Sequence, residues 1–369
     1  MADALNFRPR ILMGPGPSNV NPRVLAAMAK PTIGHLDPQF LAILNDIRQM
    51  LQEVFRTRNQ LTLAVSGTGS AGMETCVVNL IEPGDAMLVC VAGVFGQRMK
   101  DVAQRAGAKV TAIEVPWGQV FTAEQMQEAI RKNGPFKLVG IVHAETSTGA
   151  AQPIEPISRA VHEAGALLLV DTVTSLAGME VDVDGWRIDA CYSGTQKCLS
   201  CPPGLSPATF GPAAEQVIAT RKTPVQSWYL DMSMVRQYWG RERLYHHTAP
   251  INMIYGLHEA LRLVLEEGLQ ARWRRHLACH RQLCSALEGM GLKLLADPAH
   301  RLPMLNVVAA PDGVNEADVR KRLLEEFDIE IGGGLGALKG KAWRIGLMGD
   351  SATPQNVQAL VAALKKILR

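Results

Sequence analysis

The chain has 369 residues, enough for two domains with sizeable cores, and its 47% hydrophobic and 20% charged content is that of an ordinary soluble globular protein. A formal net charge of +3 with no Lys/Arg-rich run argues against nucleic acid as a partner, and no stretch of about 18 uninterrupted apolar residues suggests a membrane span. Met1–Leu5 lacks the basic stretch and apolar run of a signal peptide, and Ile367-Leu368-Arg369 is not a peroxisomal ending, so a cytoplasmic location is expected.

Arg10 to Pro17 holds Gly and Pro at a density that excludes a helix, and residues 1–20 read as an extended arm. Pro22 to Met28 predicts a short helix, and Leu41 to Phe55 an amphipathic one. Leu61 to Val65 is a strand that runs into Ser66-Gly67-Thr68-Gly69-Ser70-Ala71-Gly72 and then a helix to Leu80. Backbone N–H groups and the helix dipole at such a junction favour a phosphate. The stretch also matches G-x-G-x-x-G. However, the next strand, Ala86 to Val91, ends in Ala92-Gly93-Val94-Phe95, with no acid to hold a ribose. The phosphate is kept, and a dinucleotide-dependent oxidoreductase is the lesser alternative.

Helix and strand then alternate. Helices are predicted at Phe95–Ala106, at Thr122–Arg131 with a Thr122/Gln125 capping box, and at Ile154–Ala164. Strands are predicted at Val110–Val115 and at Leu138–His143, the latter leading into Glu145-Thr146-Ser147-Thr148-Gly149. Ala166 to Val170 is continuously apolar, as a parallel strand covered on both faces should be, and it stops at Asp171. Ile188 to Tyr192 leads into Ser193-Gly194-Thr195-Gln196-Lys197. Repeated units of this kind imply an α/β fold with an open, mostly parallel sheet whose ligands sit at the carboxyl ends of the strands. The Gly67–Gly72 turn, Asp171 and Lys197 then share one rim.

Each of these residues suggests a chemistry. A lysine boxed in by small residues loses solvation, so its amine is freed to form a Schiff base with an aldehyde. A carboxylate at the end of a buried strand needs a partner, either an internal one or a protonated ring nitrogen. Cys198-x-x-Cys201 has redox spacing, but no second such pair exists. Seven scattered cysteines fit a reducing compartment, with Cys198 and Cys201 as small buried thiols.

Residues 21–250 are read as a large domain and 251–369 as a smaller α+β one. Tyr245-His246-His247-Thr248 precedes the change; adjacent histidines diverge on a strand or helix and seldom share a metal. Pro250 opens a helix to about Glu267, and a second runs from Leu269 to Met290. Strands near Leu292 and at Met304–Ala309, a helix at Asn315–Phe327, strands at Asp328–Ile331 and Ala342–Leu347, and a helix from Thr353-Pro354 complete the chain. Arg344 inside an apolar strand calls for an anionic partner, an internal acid or a substrate carboxylate.

A phosphate cradle, an acid for a ring nitrogen, an amine for an aldehyde and a guanidinium for a carboxylate together specify pyridoxal 5′-phosphate acting on an amino acid. Gly14-Pro15-Gly16-Pro17, Ser66-Gly67-Thr68-Gly69, Glu145-Thr146-Ser147-Thr148-Gly149, Val170-Asp171, Ser193-Gly194-Thr195-Gln196-Lys197, Tyr245-His246-His247-Thr248 and Arg344-Ile345-Gly346 extend the case. Over nearly its whole length the sequence resembles the class V, fold type I aminotransferases, specifically the serine–pyruvate/alanine–glyoxylate family. The resemblance implies a large domain with a mostly parallel seven-stranded sheet and a smaller α+β C-terminal domain.

It also implies residue roles. Lys197 forms the Schiff base and shuttles the proton, Asp171 keeps the pyridine nitrogen protonated, and Thr146 lies near the phenolic oxygen. Thr68, Gly69 and Gln196 bind phosphate from one subunit, and Tyr245 and Thr248 from the other, which makes a homodimer with shared sites. Arg344 holds the substrate carboxylate, and Gly14 belongs to an arm near the site entrance at the dimer interface. Phe95 stands where mammalian relatives stack a tryptophan on the cofactor ring, and Ser70 stands where they carry a histidine beside the phosphate. The implied reaction moves the amino group of L-alanine or L-serine to glyoxylate, or to pyruvate, by a ping-pong mechanism. The alternative within the resemblance is a ureidoglycine–glyoxylate type, whose pattern has asparagine where this chain has Tyr245. A cysteine desulfurase would need a mobile cysteine reaching the cofactor, and Cys198 and Cys201 are too close to Lys197 in sequence for that.

Overall fold

The computed structural model describes residues 5–368. Met1–Ala4 and Arg369, which belong to the termini read above for targeting signals, lie outside the described residues. In chain order the elements are β1 (Ile11–Leu12), α1 (Pro22–Met28), α2 (Pro38–Phe55), β2 (Leu61–Ser66), α3 (Gly69–Leu80), β3 (Ala86–Val91), α4 (Val94–Arg105), β4 (Lys109–Glu114), α5 (Ala123–Asn133) and β5 (Leu138–Val142). They continue with β6 (Ala144–Glu145), β7 (Ala150–Ala151), α6 (Glu155–Glu163), β8 (Leu167–Asp171), β9 (Ala190–Tyr192), β10 (Leu205–Phe210), α7 (Pro212–Ala219), α8 (Met232–Trp239), α9 (Ile251–Glu267) and α10 (Leu269–Glu288). The last are β11 (Leu305–Ala309), α11 (Glu316–Phe327), β12 (Ile329–Glu330), β13 (Gly332–Gly333), β14 (Ala342–Gly346) and α12 (Pro354–Ile367).

Among the described residues, seven strands form one sheet in the order β2-β10-β9-β8-β5-β3-β4. All run parallel except β10, which lies antiparallel between β2 and β9. The sequence reading passes over β10. Its Ser-Pro-Ala-Thr run has no apolar period, and Pro207 cannot donate to a ladder. The strand tolerates Pro207 because β9 is short and pairs only with Ala208, Thr209 and Phe210. α7 and α8 also go unpredicted. Near Leu292 the expected strand reduces to a single bridge between Leu294 and Val308.

Local signals do set the helix starts. Asn21, Asp37, Asn315 and Thr353 each cap a helix with a side-chain oxygen, and Thr122 and Gln125 form the reciprocal capping box. Packing follows the alternation: α3 lies on β9 and β10, α4 on β3 and β5, α6 on β8, and α9 on α1, α2 and β10. A large apolar core fills these layers. A second core gathers Met13 with side chains of α10, α11, α12, β11 and β14, including the fully buried Trp343. Burial of a large aromatic with its N–H satisfied is strongly favourable, and Trp343 Nε1 donates to the Glu316 carbonyl at 3.0 Å. Among the described residues, no helix is long and apolar enough to cross a membrane.

One segment joins the two cores. Ile11 and Leu12 pair with Ile329 and Glu330, and Gly346 donates to the Met13 carbonyl at 2.7 Å. Five residues later, Ser18 donates from its backbone to the Gln196 carbonyl at 2.9 Å and from Oγ to the Lys197 carbonyl at 2.7 Å.

Candidate active site

Because β2, β8 and β9 run parallel, their carboxyl ends reach one edge of the sheet. Ser66, Asp171 and Tyr192 end these strands, and the Gly67–Gly72 turn and the Ser193–Lys197 loop follow. Contacts at Val173 show how closely they meet. A Cβ added to Gly69 would lie 3.1 Å from Val173 Cγ2 and 3.6 Å from the Ser193 carbonyl, and one on Gly194 would lie 3.4 Å from Val173 Cγ1.

Lys197 is buried, and its Nζ donates to the Pro15 carbonyl. Burial pushes the amine down to about 8, with Arg344 acting in the same direction and Cys198, Asp171 and Glu145 opposing. Asp171 is buried as well: Oδ1 accepts the Val173 N–H at 2.8 Å and Oδ2 accepts the Tyr192 hydroxyl at 2.7 Å. Burial raises its pKa, and those two bonds and the charges of Lys197 and Arg98 pull it back.

Arg344 projects from β14 and is buried. Nε donates to the Gly333 carbonyl at 2.7 Å. Burial lowers its pKa and Glu145 opposes. No described carboxylate lies within ion-pair distance, so the terminal nitrogens of its fork keep their donors. The internal acid left open by the sequence is not there among the described residues.

The phosphate-type turn is built as expected from strand, glycine and helix. Thr68 is the N-cap of α3, and its side chain caps nothing. Nearby, Gln196 Oε1 is buried with no hydrogen-bond partner, an orphaned acceptor facing the same corner. Ser70 Oγ accepts from Arg98 at 3.4 Å, and the Arg98 guanidinium sits 5.0 Å above the Phe95 ring. Thr146 is buried in the turn between β6 and β7.

The structure leaves Tyr245 and Thr248 out of this corner. Both are exposed, 3.4 Å apart through their hydroxyls, and neither hydrogen-bonds Lys197, Asp171 or Gln196. Gly14 lies in the joining segment, packed against Gly332 and Gly346. Cys198 Sγ donates to the Thr174 carbonyl at 3.3 Å, and burial pushes Cys198 and Cys201 up to about 11 and 12. They are protonated thiols at ordinary pH.

Three functional groups escape side-chain reasoning. Pro15 acts through a backbone oxygen. Tyr192 looks like one more apolar strand residue. Glu145 is buried, with Oε2 accepting the N–H groups of Phe95 and Gly96 at 3.1 and 3.3 Å, and Oε1 accepting the backbone and hydroxyl of Ser147 at 3.0 and 2.5 Å. It anchors the first turn of α4, and so the Phe95 ring. Gly93 has to be glycine there, since a Cβ would come within 2.6 Å of Glu145 Cδ. The only signal for Glu145 in the sequence is its place in the Glu-Thr-Ser-Thr-Gly run.

The family described as Aminotransferase class-V matches residues 11–360. Alanine–glyoxylate aminotransferase of Felis catus is 42% identical, over 99% of this chain and 89% of that protein. (S)-ureidoglycine–glyoxylate transaminase of Bacillus subtilis (strain 168) is 41% identical, over 97% of this chain and 90% of that protein. The crystal structure of an alanine–glyoxylate aminotransferase from Nostoc sp. superposes with a TM-score of 0.98 at 49% identity, covering 100% of this chain and 98% of that one.

Proposed function

The chain belongs to the class-V aminotransferases, and from that premise we propose that it moves the amino group of L-alanine or L-serine to glyoxylate, or that of L-serine to pyruvate. The observation that carries this is the buried Lys197 amine, on one rim with Asp171 and facing a corner where the Arg344 fork is unpaired.

The cofactor is pyridoxal 5′-phosphate, which supplies an aldehyde to hold the amino group and a ring to take up the electrons of the broken Cα–H bond. The residues present fit it. The uncapped first turn of α3 suits a phosphate, and the Gln196 amide, whose oxygen has no partner where it stands, would serve one by turning its NH2 towards it, which brings Thr68, Gly69, Ser70 and Gln196 together. Phe95 offers a ring face for stacking, Thr146 a hydroxyl for the phenolic oxygen, and Asp171 a carboxylate for the ring nitrogen. Tyr245 and Thr248 have no phosphate to hold within their own chain. Their exposure supports a homodimer in which each subunit lends them to the other's site.

Lys197 then has two tasks. Its Nζ would hold the cofactor through its aldehyde and, as a free amine, would move the proton at substrate Cα. The lowered pKa keeps a useful share of free amine near neutrality. Arg344 grips the substrate carboxylate and so orients the Cα–H bond. Asp171, whose burial raises its pKa while the Tyr192 and Val173 hydrogen bonds favour the carboxylate, would hold the ring nitrogen's proton. Arg344 as the one arginine assigned to a substrate carboxylate favours small monocarboxylic donors. Seven scattered, buried cysteines support a cytoplasmic setting.

The visible absorption spectrum tests this. A yellow band that bleaches with L-alanine or L-serine and returns with glyoxylate is expected, and Lys197→Ala abolishes the cycle. A protein that stays colourless after incubation with pyridoxal 5′-phosphate refutes it. The similarity to the Bacillus subtilis enzyme supports ureidoglycine as a second donor, and the same titration with ureidoglycine separates the two.

A further inference from the structure

The two adjacent histidines expected to diverge in fact meet. They sit in a loop, so neither helix nor strand geometry separates their rings. His246 Nδ1 and His247 Nδ1 are 2.8 Å apart, with the ring planes at 88°. At the outer end, His246 Nε2 lies 3.2 Å from the Trp228 carbonyl; at the inner end, His247 Nε2 lies 2.8 Å from Ser66 Oγ.

These partners fix the protons. A carbonyl only accepts, so His246 carries its hydrogen on Nε2. With both rings neutral, His246 Nδ1 accepts from His247 Nδ1, and His247 Nε2 accepts from the Ser66 hydroxyl. Packing holds the chain in place: the Trp228 ring stacks on His246 at 4.3 Å, and Tyr229 and Tyr238 flank His247 at 5.1 and 6.0 Å. Tyr229 also donates from its hydroxyl to the Ser66 carbonyl at 3.2 Å. While the histidines turn inward, Tyr245 and Thr248 on either side of them face out.

We propose that His246 and His247 are positioning residues that clamp the Tyr245/Thr248 pair to Ser66, the last residue of β2 before the Gly67–Thr68–Gly69 turn. One hydrogen-bonded chain then sets both the subunit's own phosphate turn and the loop it lends to a second copy. This rests on the reading of Tyr245 and Thr248 as lent phosphate ligands.

Acid reverses the chain at a definite atom. A proton added to His247 Nε2 must be donated, and Ser66 Oγ has to change from donor to acceptor. The titratable groups facing His247 are His246, Tyr229 and Tyr238, and no described carboxylate bonds either ring. Burial first, and His246 second, push His247 from 6.5 down to about 4. The neutral clamp is therefore fully favourable above about 6.5, and its contribution falls as pH drops towards 4.

The test is the dissociation constant of pyridoxal 5′-phosphate, followed by absorption and tryptophan fluorescence, in wild type, Ser66→Ala, His247→Phe and the double variant. Each single substitution is expected to weaken binding by about tenfold, a net hydrogen bond's worth, and the double variant no further than the weaker single. Melting of the cofactor-free proteins should stay near wild type. Stability against unfolding should fall below about pH 6.5 and wild-type affinity only as pH nears 4, and both falls should be smaller in His247→Phe. Wild-type affinity in both single variants, or effects that add, overturns the clamp. If His247→Phe does not fold, Ser66→Ala, which removes one hydroxyl, decides. Wild-type protein that binds no pyridoxal 5′-phosphate instead sinks the underlying functional reading, and the clamp with it.

Discussion

Lys197 donates from Nζ to the carbonyl oxygen of Pro15, a residue 182 positions earlier. Gly16, with φ +101°, lies against the same side chain. A Cβ there would come within 2.8 Å of Lys197 Cδ and 2.9 Å of Nζ. Gly16→Ala is therefore expected to displace the amine and to strain the left-handed backbone by about 1 kcal/mol. Steady-state assays should show kcat down by roughly tenfold or more, from about 1.4 kcal/mol of misplacement, while the melting temperature changes little.

The Lys197 amine titrates near 8 instead of 10.5 because burial disfavours its charge. Capture of pyridoxal 5′-phosphate by the cofactor-free protein should accelerate as pH rises through about 8 and then level off. Between about 8 and 10.5 the unfolded chain binds a proton that the folded one does not, so this group adds stability as pH rises across that window. Stopped-flow reconstitution and pH-dependent melting, compared with Lys197→Met, check both.

Arg344→Lys keeps the charge and loses the planar fork. The KM for the amino donor should rise by about 10- to 100-fold, with a smaller effect on kcat. A donor screen on wild type should favour alanine and serine over aspartate and glutamate. Preference for the dicarboxylic donors would contradict a single-arginine site.

Glu145 accepts four hydrogen bonds from Phe95, Gly96 and Ser147. Glu145→Gln replaces one acceptor by an NH2 group that must face N–H donors. A loss of about 1–3 kcal/mol in stability is expected by urea unfolding. Weaker stacking at Phe95 should appear as a shifted cofactor absorption band.

Where the physics is local, the fold was readable from sequence. The apolar run Ala166–Val170 ending at Asp171 is a strand because a parallel strand is covered on both faces. Thr122 and Gln125 mark a helix start because the cap is closed within four residues. Strand order placed the Gly67–Gly72 turn, Asp171 and Lys197 on one rim. β10 was illegible because Pro207 breaks the pattern and the strand is specified by its neighbours β2 and β9. Pro15 was illegible because its contribution is a carbonyl, which every residue has. The meeting of His246 and His247 depends on a loop backbone that no periodicity encodes.

The segment Met13–Ser18 is bonded at one end to β12 and β14, and at the other to the main chain of Gln196 and Lys197. Its six residues have little slack. Fraying of the second core would therefore tug on the main chain that carries the Lys197 amine, and a ligand that steadies Lys197 would in turn raise the free energy of opening that core. Hydrogen exchange in β14 and α12 becomes a remote gauge of occupancy at the Lys197 rim.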